Sequence, residues 1–229
     1  KPIKPFDLKK YSNTELITEL ANPNKRFRQT AQRLLADRRD PKIIPTLKGL
    51  VKANDNQLAL EAFWAINHSG GFTREYAHET LKHPHPYVRF WTIRLLGDSH
   101  LMNADLRAQL TALAGSEGNV EVRSCLAASC KRWPAKDSFP ILAQLISREE
   151  DVNDKHIPLL LWWALEDKST SDLTEVVKLL RDQELWKTPM MQQHLLPRLA
   201  QRYGAEPIDP NLAMAGALFS LAPTAADKD

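Results

Sequence analysis

A run of thirteen residues, Pro86 to Asp98 (PYVRFWTIRLLGD), carries the pattern that most constrains the fold. Val88, Thr92, Leu95 and Leu96 fall three or four positions apart, the spacing that gathers side chains on one face of an α-helix. The glycine and aspartate behind them, Gly97-Asp98, predict the helix end. Aligned on the Val88-Arg89 step, variants recur at Phe27-Arg28 (FRQTAQRLLAD) and Val122-Arg123 (VRSCLAASCKRW). Second helices anchored on that position begin near residues 27, 58, 88, 122, 157 and 191. Intervals of roughly 30 to 35 residues match one helix–turn–helix unit of a stacked helical array.

Taken in order, residues 1–11 read as an extended lead-in, because Pro2 and Pro5 leave no helical rhythm. Ser12 or Asn13 caps a first helix with Leu16, Ile17 and Leu20 on one face, and Asn22-Pro23-Asn24 turns the chain. The next helix, to about Asp37, buries Phe27, Ala31, Leu34 and Leu35 and turns Lys25, Arg26, Arg33 and Arg38 outward. Asp40-Pro41 starts a second hairpin, with Pro45 harmless in the first turn and a break at Asn54-Asp55-Asn56. LALEAFWAI then runs out at Gly70-Gly71. The third hairpin joins 73–82 to 85–97, the fourth 104–114 to 119–132, the fifth 136–147 to 157–165, and the sixth 172–181 to 190–203, with Gly204 as the residue that stops it. NLAMAGALFSLA, beyond Pro210, reads as the first helix of a seventh unit or a cap on the sixth. The repeat domain therefore spans 12–209, with a capping helix and tail over 210–229.

Burial explains why such a pattern stacks. One hairpin cannot hide its own apolar stripe, but neighbours hide each other's second helices along a common spine. The expected fold is all-α, a right-handed α-solenoid of about six helical hairpins. Few valine- or threonine-rich alternating runs, and 8 glycines against 15 prolines, argue against sheets. No stretch approaches the ~18 apolar residues needed to span a bilayer, and no signal-peptide core is visible, so membrane insertion is not expected. The formal charge of +3 is unevenly spread: residues 1–52 hold 13 Lys and Arg against 5 Asp and Glu, leaving the remainder acidic. A basic end is compatible with nucleic acid or an acidic protein surface, but a solvated face of arginine-rich helices is the reading it favours. Cys125 and Cys130 lie five residues apart on one predicted helix, about 140° around its axis, and read as free core thiols.

Proline in the first helix (Pro45, Pro140), the Val-Arg step opening the second (Val88-Arg89, Val122-Arg123) and the small residue and leucine that follow resemble HEAT repeats. In that family an aspartate at the inter-helix turn often pairs with the arginine to make a ladder between units. Asn24, His85 and Asn119 stand at that turn here, which argues against an ionic ladder and leaves room for a hydrogen-bonded one. More narrowly, NPNKRFRQTAQRLLADRRD, ALEAFWAI, HPHPYVRFWTIRLLGD, VRSCLAASCKRWPAKDSFPIL and HIPLLLWWALE, in that order, are similar to the helical-repeat segment of the large PVC-type membrane-bound dehydrogenase-like, haem-binding CxxCH proteins. The similarity covers about residues 5–165. It implies a place between a sugar-dehydrogenase-like β-propeller and a cytochrome c domain, and an exported or periplasmic location. The chain has no C-x-x-C-H, so nothing of that redox chemistry maps onto its residues.

Several constellations were weighed for chemistry. His78, His83 and His85, with His68 and His100 further off, could converge on a metal, but their spacing matches no ligand pattern and Pro84 and Pro86 already make the segment a rigid turn. Of the six tryptophans, Trp64 and Trp163 share a repeat position, which predicts packing; an exposed one on the second-helix face would mark a partner site. Trp162, Trp163 and Asp167 echo the tryptophan-and-aspartate site of helical-repeat DNA glycosylases for alkylated bases, although Glu166 beside them would repel DNA. Glu149, Glu150, Asp151 and Asp154 read as a solvated turn. No nucleophile triad, phosphate-binding glycine loop or HExxH occurs. The expectation is a non-enzyme: a helical-repeat scaffold or protein-interaction module with no catalytic, cofactor or metal residues and a protein partner, nucleic acid standing only as the alternative DNA-glycosylase reading.

Overall fold

The computed structural model describes residues 7–54, 56–99, 101–205 and 209–222. Every regular element among them is helical. The chain divides into two compact units, 1–92 and 93–229, the division falling inside one helix.

The first unit opens with a 3-10 turn, Leu8–Lys10, where an extended segment was expected; Asp7 caps it and Arg38 ties it down through bonds to the carbonyls of Lys9 and Tyr11. Residues 1–6 of the expected lead-in lie outside the described residues. Helix α1 spans Asn13–Glu19, and Ser12 is its cap. The Ser12 hydroxyl accepts from the Glu15 N–H at 3.2 Å, while the Glu15 carboxylate accepts from the Ser12 N–H at 2.7 Å, a reciprocal box that satisfies two orphan donors. Helix α2 spans Lys25–Arg38, capped by Asn24, and α3 spans Ile44–Ala53 after a 3-10 turn at Pro41–Ile43. Helix α4, Gln57–His68, is capped by Asn56 and ends just before Gly70, whose φ of 80° only glycine adopts cheaply. Helix α5 spans Arg74–Thr80, with Thr73 as cap, and α6 spans Pro86–Ser99. Within this unit α1 packs on α2, α3 on α4, and α2 on α4.

The second unit continues with α7 (Ala104–Ser116), α8 (Val120–Cys130), α9 (Ala135–Ile146), α10 (Ile157–Lys168), α11 (Leu173–Leu180) and a short α12 (Gln183–Trp186). A π-helical turn at Met191–Leu195 leads into α13 (Leu196–Ala205), followed by α14 (Asp209–Leu221). First helices lie against first helices, α7 on α9 and α9 on α11, and second against second, α8 on α10. Neither α12 nor the π turn is visible in the periodicity. Four residues are too few to show a period, and Pro197 lacks the N–H that an unbroken α-helix would need at that point.

The six second helices share one register. Four residues after the anchor stand Ala31, Ala62, Thr92, Leu126, Leu161 and Leu195, and eight after it Leu35, Ile66, Leu96, Cys130, Leu165 and Leu199; all twelve are buried to within 1%. The anchors Val88, Val122, Ile157 and Met191 are fully buried, whereas Phe27 and Leu58 are half-buried. Leu58 lines an open groove of about 390 Å³ with Leu20 and Pro23.

Two glycines serve differently from the expectation. Helix α6 runs through Gly97 and Asp98 to Ser99, and α13 runs through Gly204 to Ala205. Gly97 ends nothing; a β-carbon there would stand 2.6 Å from Nη2 of Arg132, so the residue is set by close approach.

Candidate interaction face

The arginine that follows three of the six anchors, Phe27, Val88 and Val122, explains the repeated step. It sits in the first turn of its helix and folds back to the preceding turn. Arg28 Nη1 donates to the carbonyls of Asn22 (2.9 Å) and Pro23 (3.1 Å), Arg89 Nη1 to His83 (2.8 Å) and Pro84 (3.0 Å), and Arg123 Nη1 to Glu117 (3.2 Å) and Gly118 (3.0 Å). Two of these arginines also reach a carboxylate of the following hairpin. Arg28 Nε bonds Glu61 at 2.7 Å, and Arg123 grips Asp151 with two bonds of 2.6 Å. Both of these ties are ionic, so the ionic ladder that the turn residues argued against is present at these two steps. Glu61 belongs to α4, the second helix of the next hairpin, whereas Asp151 lies in the 3-10 turn Glu149–Asp151 between α9 and α10, an inter-helix turn.

Asp151 is likewise no solvated residue. It is 1% exposed, and its hydrogen bonds hold the Arg123 guanidinium above its ordinary pKa. The neighbouring acids have separate tasks. Glu150 pairs with Arg148 at 2.6 Å, and the Asp154 carboxylate accepts from the backbone of Ile157 and His156, both at 2.8 Å, capping α10. Those two bonds, the one from Ile157 foremost, hold Asp154 below the usual carboxylate range.

With the arginines committed to the scaffold, the outward stripe of each second helix is free of that duty. On α10, Leu159, Trp163 and Asp167 follow one another at four-residue steps and share a face. Leu159 is 38% and Trp163 44% exposed. This corrects the packing role expected for Trp163; the buried indoles are Trp133 and Trp186, which donate to the carbonyls of Leu96 (3.4 Å) and Leu180 (2.7 Å). Asp167 is held by Lys168, whose Nζ bonds it at 2.6 Å and reaches the Lys131 carbonyl at 2.6 Å. Trp162, one residue away, is half-buried on another side of α10. Of the trio considered for DNA, Trp163 and Asp167 are thus brought together and Trp162 is not.

In the first unit α4 and α6 carry a chain of rings. Trp64 and Trp91 meet edge-to-face at 5.5 Å, as do Trp91 and Phe90 at 6.0 Å, while Phe90 and Tyr87 are tilted at 6.3 Å. Tyr87, at the end of the chain, is 46% exposed. On α2, Arg26 and Arg33 border a cavity of about 500 Å³ floored by Leu8, Phe27 and Leu34.

The remaining candidates have structural tasks. His83 is buried, its Nε2 lying 2.8 Å from the Val51 carbonyl and its Nδ1 accepting from the His85 N–H at 3.1 Å, so the ring braces the turn. His68 is exposed, His78 half-buried, and His100 lies outside the described residues. Among the described residues no group of three His, Cys, Asp or Glu side chains is placed to hold a metal ion, and no helix is long and apolar enough to cross a membrane. Cys125 and Cys130 are free and buried. Burial raises the Cys125 thiol to about 11 and pushes Cys130 higher still.

Compared with known proteins, the chain matches no protein-family model, no curated protein and no solved structure.

Proposed function

We propose that the protein is a right-handed α-solenoid of about six HEAT-like hairpins acting as a non-catalytic protein-interaction module, its partner a protein surface met by the second helices. By resemblance, the simplest partner is another domain of a larger exported redox protein of the PVC-type dehydrogenase-like class. The observation that carries this reading is the Leu159–Trp163 pair. A large indole left nearly half in water, one turn from an exposed leucine, is the composition of a protein-binding hot spot. The shared register of the second helices and their layer-on-layer packing support the HEAT-like arrangement.

The test is a photo-reactive phenylalanine analogue at position 163, compared with one at Lys136, which is exposed on the first-helix layer. A discrete protein adduct from position 163 and none from position 136, in cells making the full parent protein, is the expected result. No adduct at 163 refutes the reading. The competing class, a helical-repeat DNA glycosylase, draws on Trp163 and Asp167 sharing a face. It requires duplex binding that weakens steeply with salt, measured by fluorescence anisotropy.

A further inference from the structure

On the first-helix side of the first unit, a cavity of about 520 Å³ opens between α3 and the end of α5. Three lysines line it, Lys48, Lys52 and Lys82, against one acid, Glu79, a formal balance of +2. Among the described residues none of the three ammonium groups is held in an ion pair; Lys48 instead rests over the Tyr76 ring, 4.5 Å from its centroid. His83, also in the lining, has both ring nitrogens engaged within the fold.

Two further features mark the cavity wall. Tyr76 is 3% exposed, yet its hydroxyl has no hydrogen-bond partner, a state that native interiors rarely leave. The hydroxyl is shielded from the open cavity, and burial pushes this phenol far above its ordinary range. Gly49, in the middle of α3, has neither a left-handed backbone nor a crowding neighbour: a β-carbon there meets nothing within 4 Å. Glycine is a poor helix former, and Gly49, like Gly204, stands where a side chain would fit. What it supplies is open space in the cavity wall.

We propose that this cavity binds a small organic phosphate, the dianion held by Lys48, Lys52 and Lys82 and the organic part lying over Gly49 and Pro84. A phosphomonoester carries about −1.5 to −2 at pH 7, which complements the lining. Lysines are compact, mobile point charges that suit a tetrahedral phosphate, whereas planar carboxylates are met best by the arginine fork, absent from this lining. The volume lies within the range of small-molecule sites. The site is separate from the second-helix face and stands independently of its function.

Calorimetric titration of the full chain with phenyl phosphate, inorganic phosphate and benzoate tests the assignment. Saturable binding of phenyl phosphate, weaker binding of inorganic phosphate and none of benzoate is expected. Lys48→Gln and Lys82→Gln should each weaken phenyl phosphate by about tenfold, the scale of a charge-assisted bond. Gly49→Leu should abolish binding with the thermal midpoint unchanged or raised, a combination that damage to the fold would not produce. Absence of saturable binding by either phosphate, or binding that survives Gly49→Leu, would overturn the site. Equal affinity for the two phosphates would overturn the organic part.

Discussion

Removing the Asp151 carboxylate tests whether the buried ion pair holds the second unit together. The Arg123 side chain is 7% and that of Asp151 1% exposed, and the guanidinium makes four hydrogen bonds, two to this carboxylate. Asp151→Ala leaves a buried cation with only the Glu117 and Gly118 carbonyls as partners. Breaking a buried pair on one side costs about 3–5 kcal/mol. At ~2–4 °C per kcal/mol for a chain of this size, the thermal midpoint should fall by on the order of 10 °C. Urea unfolding followed by circular dichroism gives the free energy. Glu150→Ala is the control: it removes a neighbouring acid that is half-exposed beside Arg148, and should cost about 0.5 kcal/mol or less. The double replacement Arg123→Met with Asp151→Leu should recover most of the loss, because no buried charge remains. Recovery stops short by about 1 kcal/mol for the turn carbonyls that lose their donor. A cost below about 1 kcal/mol for Asp151→Ala, or simple additivity in the double mutant, would refute the assignment of a coupled buried pair.

The thiols give a pH-dependent prediction. A folded-state pKa near 11 for Cys125, above the unfolded value near 8.5, means that its contribution to stability is fully present below about pH 8.5 and is lost as pH rises towards 11. Both cysteines should resist a thiol reagent at pH 8 until denaturant is added, and prompt labelling of the native chain would contradict their burial. At the glycines, Gly204→Ala should stabilise by up to about 0.5–1 kcal/mol, since it lies in α13 with open space around it. Gly97→Ala should gain nothing until Arg132→Ala removes the guanidinium from its path; a gain in the otherwise unaltered chain would contradict the close approach.

The helices were legible because burial repeats at one register. Residues at four and eight positions past each anchor are apolar in every second helix except at Thr92, and there the hydroxyl is absorbed by bonds to Thr80 and to the Val88 carbonyl, both at 2.8 Å. The cap at Ser12 was equally visible, since it stands where orphan N–H groups need acceptors, whereas Asn24 and Asn119, legible only as turn residues, cap α2 and α8 in the same way. What escaped the sequence depends on partners far along the chain. Nothing local to Asp151 distinguishes it from its acidic neighbours, because its arginine lies 28 residues earlier, and nothing local to Gly97 announces Arg132.

The same comparison of equivalent positions shows that scaffold packing leaves the outer stripe of the second helices open. Polar ties between successive hairpins span about one repeat: His83 reaches back to Val51, Arg148 to Ala114 and Gly115, Lys168 to Lys131, and the Tyr203 hydroxyl to Ser169. These ties and the shared apolar register account for the scaffold without recruiting the sixth position past each anchor. There the residues are Arg33, Trp64, Arg94, Ala128, Trp163 and Pro197, with no common size, charge or burial. A position under one packing constraint would converge, as the fourth and eighth have. Divergence at the sixth means that scaffold packing leaves it open, and an indole of Trp163's area is costly to expose where polar residues would serve the fold as well. The protein-binding reading of α10 therefore rests on the contrast between its uniform inner positions and its ungoverned outer one.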